Sequence, residues 1–418
     1  MAAESVVTCW PPLGKKEGIH IPDIASQLTV TTRRYIDTNP TLRDLVFNHD
    51  PTMAMIGDEC HEEVGGGLNW NDNIEYDVQD GGPYAKGQDL PADQRQIEQA
   101  LQFQPKFNAV MIPFYKEDIR VFNVAGDPLA VVNLVTERVD AAFTQLGAQT
   151  ALQRYLQGQS AAFSKFPNGL LEACSDGVNI GWDGNTYAVY GTLTRSLYGG
   201  RMLSPKPYNF TGSVISLPIM EQLYQSVNFG SGKYECNVIT TTPTGYGYIR
   251  NNFQTQQRFQ NTTVGKAGFR GLEYNGATIF ASRYAPGSYL MNNSTGGSTN
   301  PTTTPNTNGT NDRVAVRMFN YATGSNTTAY PAPAAMWGNG AGAAGSGGSV
   351  FGETIWFENI RKPMVKYRTS KNKPFDGSLD DDGFIPSAGN TKLVGKVLLA
   401  HNFSVIPGYV AQAFNFQG

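Results

Sequence analysis

The clearest structural signal in the chain comes from residues 128–157, which read PLAVVNLVTERVDAAFTQLGAQTALQRYLQ. Apolar side chains recur there at spacings of three and four, the period of a helix with one apolar face, at Leu129, Val132, Val135, Val139, Phe143 and Leu146. Asp127 and Pro128 suit the start of a helix and Gly158 suits its end. Thirty helical residues span about 45 Å. The segment therefore predicts a long spine helix that organises the rest of the chain.

Upstream of this helix, two strand patterns predict a long projecting hairpin. In residues 73–80 apolar and polar side chains alternate, as in a strand with one solvent-exposed face. A second strand pattern covers 108–124, with an interruption at Pro113, and a short helix is possible over 92–102. A hairpin of two strands is only marginally stable in water. Residues 73–124 are therefore expected to lie on another surface.

The two most irregular parts of the sequence predict an arm and an insertion. Prolines and glycines interrupt residues 1–48, where apolar residues are too sparse for a core and one short helix is expected over 41–47. Asn, Thr, Gly, Ser, Pro and Ala dominate residues 292–349, and no charged residue occurs from 318 to 352. A tract of this composition cannot bury enough apolar area to fold alone. We expect it to be an extended surface insertion.

The remaining segments combine strands with short helices and predict a mixed α+β fold. Residues 236–241 are apolar and β-branched, as in a buried strand, and Thr242 with Pro243 predicts the start of a helix. Three short strands are expected before the insertion, over 268–272, 278–282 and 288–291. Strand patterns return after the insertion, over 354–357, 364–367 and 393–405.

Composition excludes several classes of protein. Charged residues make up 16% of the chain, and 32 Lys and Arg balance 35 Asp and Glu for a net charge of −3. A protein whose main function is to bind nucleic acid needs more basic than acidic residues, and this chain has no such excess. No apolar stretch reaches the length of a membrane helix, about 18 residues. The four cysteines are at least 51 positions apart and form no CxxC pair, which favours buried free thiols.

Sequence motifs give no support for catalysis, a cofactor or a metal. Residues 340–345 match GxGxxG, but they lie in the low-complexity tract without the strand and helix that phosphate binding requires. The acidic groups around Cys60 and His61 and in 380–382 are expected to be solvated turns, because neither has the spacing of a metal site. No GxSxG motif occurs, and nothing pairs a nucleophile with a base at recognisable spacing. We therefore expect a structural protein and not an enzyme.

The order of these parts resembles the major capsid protein of tailed bacteriophages, with the Hong Kong 97-type coat fold. Residues 166–173 and 190–195 are similar to the turn-rich stretch after the family's spine helix, and 237–241 leads into a helix as in its axial domain. Residues 268–277 with 284–291 give the most specific similarity, a strand, a turn glycine, a second strand and a small-residue turn. The resemblance covers the chain from about residue 30 to its end.

The resemblance implies an α+β capsid fold divided into four parts. These would be an N-terminal arm (1–60), an extended loop (69–124), a peripheral domain (125–199 and 355–418, with spine helix 127–158) and an axial domain (200–354, with insertion 292–349). Subunits of this kind form hexamers and pentamers that close into an icosahedral shell around double-stranded DNA. The implied location is the virion capsid, assembled in the host cytoplasm and without contact to a membrane.

The resemblance also implies partners. They are other copies of the chain, a separate scaffolding protein, a portal protein, a possible cement or decoration protein and packaged DNA held without sequence-specific contact. The separate scaffold is expected because no long charged helical segment precedes the arm. An encapsulin-type nanocompartment shell and a phage tail or adhesion protein remain alternatives.

The hairpin lies across a neighbouring subunit in such shells, so its residues Lys86, Tyr84 and Tyr76 are the candidate inter-subunit contacts. Some family members link subunits through a Lys–Asn isopeptide bond. Lys86 is the only lysine between positions 17 and 105, and it is either a partner in such a bond or a solvated loop lysine.

Overall fold

The computed structural model describes residues 24–38, 50–79, 81–87, 95–117, 128–159, 164–182, 185–198, 202–210, 214–228, 230, 232–254, 272–287, 353–373, 375–386 and 392–416. Its helices are α1 (Ile24–Thr38), α2 (Pro51–Glu59), α3 (Pro128–Gln153), α4 (Leu170–Ala173), α5 (Arg195–Tyr198), α6 (Leu217–Val227) and α7 (Pro243–Gln254). Its first strands are β1 (His61–Val64), β2 (Trp70–Glu75), β3 (Glu98–Phe103), β4 (Lys106–Tyr115), β5 (Val189–Tyr190), β6 (Leu193–Thr194), β7 (Tyr208–Asn209) and β8 (Val238–Thr241). The later strands are β9 (Leu272–Tyr274), β10 (Ala277–Ala281), β11 (Glu353–Glu358), β12 (Val365–Ser370), β13 (Asp376–Leu379), β14 (Ile385–Pro386), β15 (Lys392–Val405) and β16 (Val410–Phe416).

The predicted spine helix is present as α3, but it is shorter than the sequence pattern suggests. It has 26 residues and a length of about 39 Å. After Gln153 the backbone tightens, because the amides of Tyr155 and Leu156 donate to carbonyls three residues back. The amide of Leu170 then donates to the carbonyl oxygen of Arg154 at 2.7 Å. The helix therefore ends where the returning chain takes over one of its last carbonyl groups.

The spine helix packs on a six-stranded sheet with β15 at its centre. Strand β4 pairs with one edge of β15, and β12, β13 and β14 pair in succession with the other; β1 lies parallel to β12. On the inner face of the sheet, Val110, Ile112 and Phe114 of β4 share an apolar core with Val139 and Phe143 of the helix.

A second six-stranded sheet has the order β7-β16-β11-β8-β10-β9. All residues of β8, β11 and β16 are buried, polar as well as apolar ones, so these strands form the centre of the second sheet. Helix α7 begins as predicted, because the hydroxyl of Thr242 accepts a hydrogen bond from the amide of Gly245 at 3.0 Å. A buried ion pair between Arg154, just after the spine helix, and Glu358 of β11 connects the end of that helix to the second sheet.

The predicted hairpin pairing is wrong. Strand β2 pairs with β3, so that Trp70 faces Phe103, and residues 98–102 form a strand where a short helix was expected. The second predicted strand pairs with β15 and runs through Pro113 without a break. Pro113 is compatible with β4 because, within the described part of the chain, β4 pairs on one side only and a missing N–H is tolerated at an edge.

Within residues 1–48, which have too few apolar residues to form a core of their own, the sequence pattern predicts no helix before residue 41. Helix α1 lies in that range, and its Leu28 is 5% exposed and joins the core beneath the spine helix. Several other predictions fall outside the described residues. They are the helix over 41–47, the strand over 288–291, the insertion 292–349 and the GxGxxG match at 340–345.

Candidate functional site

The extended loop presents an exposed tip beyond the paired strands β2 and β3. Tyr84 is 65% exposed, and Lys86 lies at an exposed turn beside Gly87. Tyr76 instead packs edge-on against the ring of Tyr198 with 5.0 Å between the centroids. Of the three candidate contact residues, Tyr84 and Lys86 therefore face outward, whereas Tyr76 helps to hold the loop against its own subunit.

The base of the loop is fastened by a cluster of buried charges. Asp72 of β2 is 4% exposed, and its Oδ1 lies 2.6 Å from Lys366 Nζ and 2.5 Å from Arg368 Nη2. Arg368 Nε also donates to Glu62 Oε2 of β1 at 3.2 Å. A charge removed from water is stable only when it is paired in this way. The cluster therefore ties the loop to β12 and β1 of the first sheet.

Close apolar packing reinforces this attachment. Trp70, Ile74, Leu101 and Phe103 are all buried at the base of the two strands. A side chain at Gly191 would place its Cβ 2.8 Å from Leu101 Cδ2, and the backbone there has φ +52°, so glycine is required. The base of the loop is consequently packed firmly against the rest of the chain, and the exposed tip extends from it.

The outer face of β4 is apolar and exposed. Along the strand, buried residues alternate with Phe107, Met111 and Tyr115, which are 61%, 47% and 47% exposed. Across the pair, Lys392 stands opposite Tyr115 and Lys396 opposite Met111, so two lysines flank the apolar stripe. We call this surface, made by Phe107, Met111, Tyr115, Lys392 and Lys396, the outer sheet face.

The loop has the opposite charge. Residues 75–98 contain six Asp and Glu against two Lys and Arg, a net charge of −4, whereas the whole chain has a net charge of −3. Val78 near the tip is 71% exposed and supplies apolar surface beside the carboxylates. An acidic loop with apolar side chains is complementary to the outer sheet face in both charge and hydrophobicity.

The expectation of a solvated turn around Cys60 and His61 is wrong, because His61–Val64 is strand β1 of the first sheet. Cys60 is buried, His61 Nε2 lies 2.8 Å from the hydroxyl of Thr369, and Glu62 pairs with Arg368. No set of three His, Cys, Asp or Glu within the described ranges is arranged to hold a metal. Burial raises the pKa of Cys60 and of Cys236 to about 12, which keeps both thiols protonated and poorly nucleophilic.

One buried polar cluster has a defined protonation state. Asn108 Nδ2 donates to Gln153 Oε1 at 2.7 Å and to His401 Nε2 at 2.8 Å, while Gln153 Nε2 donates back to Asn108 Oδ1 at 2.9 Å. The Nε2 of His401 must accept, so the imidazole is neutral. Burial lowers the pKa of His401 to about 3. The cluster connects β4, the spine helix and β15 beneath the outer sheet face.

Among the helices in the described part of the chain, none is long and apolar enough to cross a membrane. No family model matches the chain, and no curated protein matches it.

Solved structures do match. A chain of the cyanophage A-1(L) capsid asymmetric unit aligns with a TM-score of 0.51 at 10% identity, over 87% of this chain and 93% of that chain. The holo-SrpI encapsulin complex from Synechococcus elongatus PCC 7942 gives a TM-score of 0.48 at 9% identity, over 87% of both chains. The capsid of a native GTA particle gives 0.46 at 9% identity, over 87% of this chain and 90% of that chain.

The similarity to the cyanophage capsid chain shows that this chain has the fold of a capsid protein. The α+β, Hong Kong 97-type fold implied by the sequence is thereby confirmed. The division into arm, extended loop, peripheral domain and axial domain stays a prediction.

The sequence reasoning missed the outer sheet face and the charge cluster at Asp72. A signal for the first was available, because residues 107–115 are apolar at every position except Asn108, and therefore on both faces of a strand. Such a strand is expected to be covered on both faces. Nothing in the sequence indicated the cluster, since Asp72 and Lys366 are 294 positions apart.

Proposed function

We propose that this chain is the structural subunit of a closed protein shell, acting as the major capsid protein of a tailed bacteriophage. Copies would assemble as hexamers and pentamers into an icosahedral shell around double-stranded DNA. The observation that carries the proposal is the capsid fold itself, which extends over 93% of the cyanophage capsid chain. The exposed outer sheet face supports the proposal. An exposed apolar edge strand favours pairing with another chain, so it suits a subunit of an assembly better than a free monomer.

The extended loop is the proposed contact between subunits. Its acidic tip, with Tyr84 and Lys86 at the surface, would lie across the outer sheet face of the neighbouring copy. Opposite charges would set the register and the apolar side chains would contribute most of the affinity. Tyr76 would act from within its own subunit, by holding the loop against Tyr198.

The other partners follow from the same proposal. A separate scaffolding protein would direct curvature, a portal protein would replace one pentamer, and a cement protein would cover joints between subunits. DNA would fill the shell without sequence-specific contact. The shell would be assembled in the host cytoplasm and become the virion capsid.

Particle imaging tests the shell. Purified protein, alone and co-expressed with candidate scaffolding proteins, would be examined by sedimentation and negative-stain electron microscopy. Closed particles are the expected result, and a compact monomer under all conditions would refute the proposal. Uniform closed shells from the chain alone would refute the separate scaffold. Particles that contain an enzyme and no DNA would instead support an encapsulin-type compartment.

A denaturing gel of mature particles tests the proposed bond at Lys86. A ladder of covalent oligomers that disappears in Lys86→Arg would establish a cross-link at this position. A single band at 45.4 kDa would exclude it and leave Lys86 as a solvated contact.

A further inference from the structure

We propose that helix α1 is a releasable strap, which closes a groove between the spine helix and β13 through a contact that opens while both sheets stay folded. The helix lies against α3 and β13. Among its side chains described, those of residues 28–38, Leu28 is the one fully buried apolar group, and Tyr35 and Ile36 are only partly buried. The described side chains, those of residues 28–38, thus supply few buried apolar groups to fix the helix in place.

The centre of the contact contains a polar defect. Thr32 is 0% exposed, and its Oγ1 has no hydrogen-bond partner. A hydroxyl that is buried without a partner destabilises the state that buries it, and water hydrates the same hydroxyl once the helix leaves. Thr32 therefore shifts the equilibrium towards release. Valine has the same shape as threonine but no hydroxyl, so a valine at this position would not destabilise the docked helix in this way.

The polar anchors of α1 are exposed or only partly buried, including the Tyr35 hydroxyl, which donates to Asp140 Oδ1 of the spine helix at 3.0 Å. Arg33 Nη2 donates to the carbonyl oxygens of Asp380 and Asp381 at 3.1 and 2.7 Å. Lys373 Nζ lies 2.8 Å from Asp37 Oδ1, and both side chains are 58% exposed. Exposed ion pairs contribute little to stability. These contacts set the position of the docked helix without locking it.

Release of α1 has a defined consequence for the surface. The core that receives Leu28 also contains Val139, Leu379 and Phe384, and the amide of Phe384 donates to Thr29 Oγ1 at 3.1 Å. Departure of the helix would uncover part of this apolar core. The strap would thus hide an apolar groove in one state and present it in the other. Because the inference concerns the single chain, it can hold or fail independently of shell formation.

Hydrogen exchange of the full chain, read by mass spectrometry, tests the strap. Amides of α1 are expected to exchange while those of the spine helix remain protected. Thr32→Val should slow exchange in α1 by about five- to thirty-fold. Val30→Thr makes the reverse change at a position that is 65% exposed and should leave the rate unchanged. Equal protection of α1 and the spine helix, or no slowing in Thr32→Val, would overturn the proposal.

Trypsin gives a second measurement, because Arg33 and Arg34 lie within α1. Cleavage at these bonds requires the helix to open, so Thr32→Val should reduce the cleavage rate by the factor seen in exchange. Leu28→Ala should increase both rates in α1 and leave the spine helix protected. If Leu28→Ala instead raised exchange through both helices equally, α1 would be an integral part of the core and the strap would be ruled out.

Discussion

Replacing His401 with glutamine should remove most of the acid sensitivity that this residue gives the fold. In the folded chain the imidazole is 0% exposed and accepts a hydrogen bond from Asn108, so it cannot take up a proton without losing that bond. Burial lowers its pKa to about 3 from an ordinary value of 6.5. The unfolded chain therefore binds a proton at a pH where the folded chain does not, and stability falls as the pH drops below 6.5.

The magnitude follows from the difference between the two pKa values. Each pH unit below 6.5 removes about 1.4 kcal/mol until the folded state also protonates near pH 3. Between pH 7 and pH 5 the wild-type chain should lose about 2 kcal/mol through His401 alone. In His401→Gln this component is absent, because the side-chain oxygen can still accept from Asn108 but does not titrate.

Urea unfolding at pH 7, 6 and 5 measures the effect, with tryptophan fluorescence as the signal and sedimentation to confirm the same association state. The unfolding free energy of the wild type minus that of His401→Gln should decrease by about 2 kcal/mol as the pH falls from 7 to 5. His61→Gln is the control at a partly exposed histidine, and this variant should still lose the stability that His401 removes at low pH. A constant difference between wild type and His401→Gln would refute the reasoning, as would an NMR titration of His401 near pH 6.5.

Two further substitutions address the loop and its proposed seat. Asp72→Asn should lower the free energy of unfolding by about 2–3 kcal/mol, less than for a fully buried pair because Lys366 is 19% exposed; a change below about 0.5 kcal/mol in urea unfolding would contradict a structural role for the cluster. The double change Lys392→Glu and Lys396→Glu should reduce shell formation while the circular dichroism of the subunit stays the same. The exposed Lys206→Glu is its matched control, and equal particle yields in sedimentation would show that the outer sheet face is not the seat of the loop.

Local features of the sequence predicted the spine helix and the step from β8 into α7. Both depend on signals within a few residues, namely an apolar stripe of helical period and a Thr242–Pro243 helix start. The fold class could be predicted because the order of such elements resembled a known family. The end of the spine helix could not be predicted, because the amide that bonds to the carbonyl oxygen of Arg154 belongs to Leu170, 16 positions further along the chain.

Strand pairing was predicted less well, because pairing partners are chosen by tertiary contacts. The pattern around Leu101 and Phe103 does not distinguish a helix from a strand, and the structure pairs both residues with β2 and packs them against Gly191. Of the candidate site, the exposure of Tyr84 and Lys86 agrees with a loop tip, while the contact of Tyr76 with Tyr198 depends on a segment far along the chain.

The surface of the chain carries even fewer free charges than its low content of charged residues suggests. Charged residues are 16% of the sequence, and several of them are buried in ion pairs, including Asp72 with Arg368 and Arg154 with Glu358. These groups hold the loop to the first sheet and the end of the spine helix to the second sheet, so they are not available to keep the surface hydrated. A monomer built in this way exposes Phe107 and its neighbours with few charges to oppose association. The same distribution of charge that fixes the subunit internally therefore favours its assembly with other copies, and reversing Lys392 and Lys396 tests the surface where that association is proposed to begin.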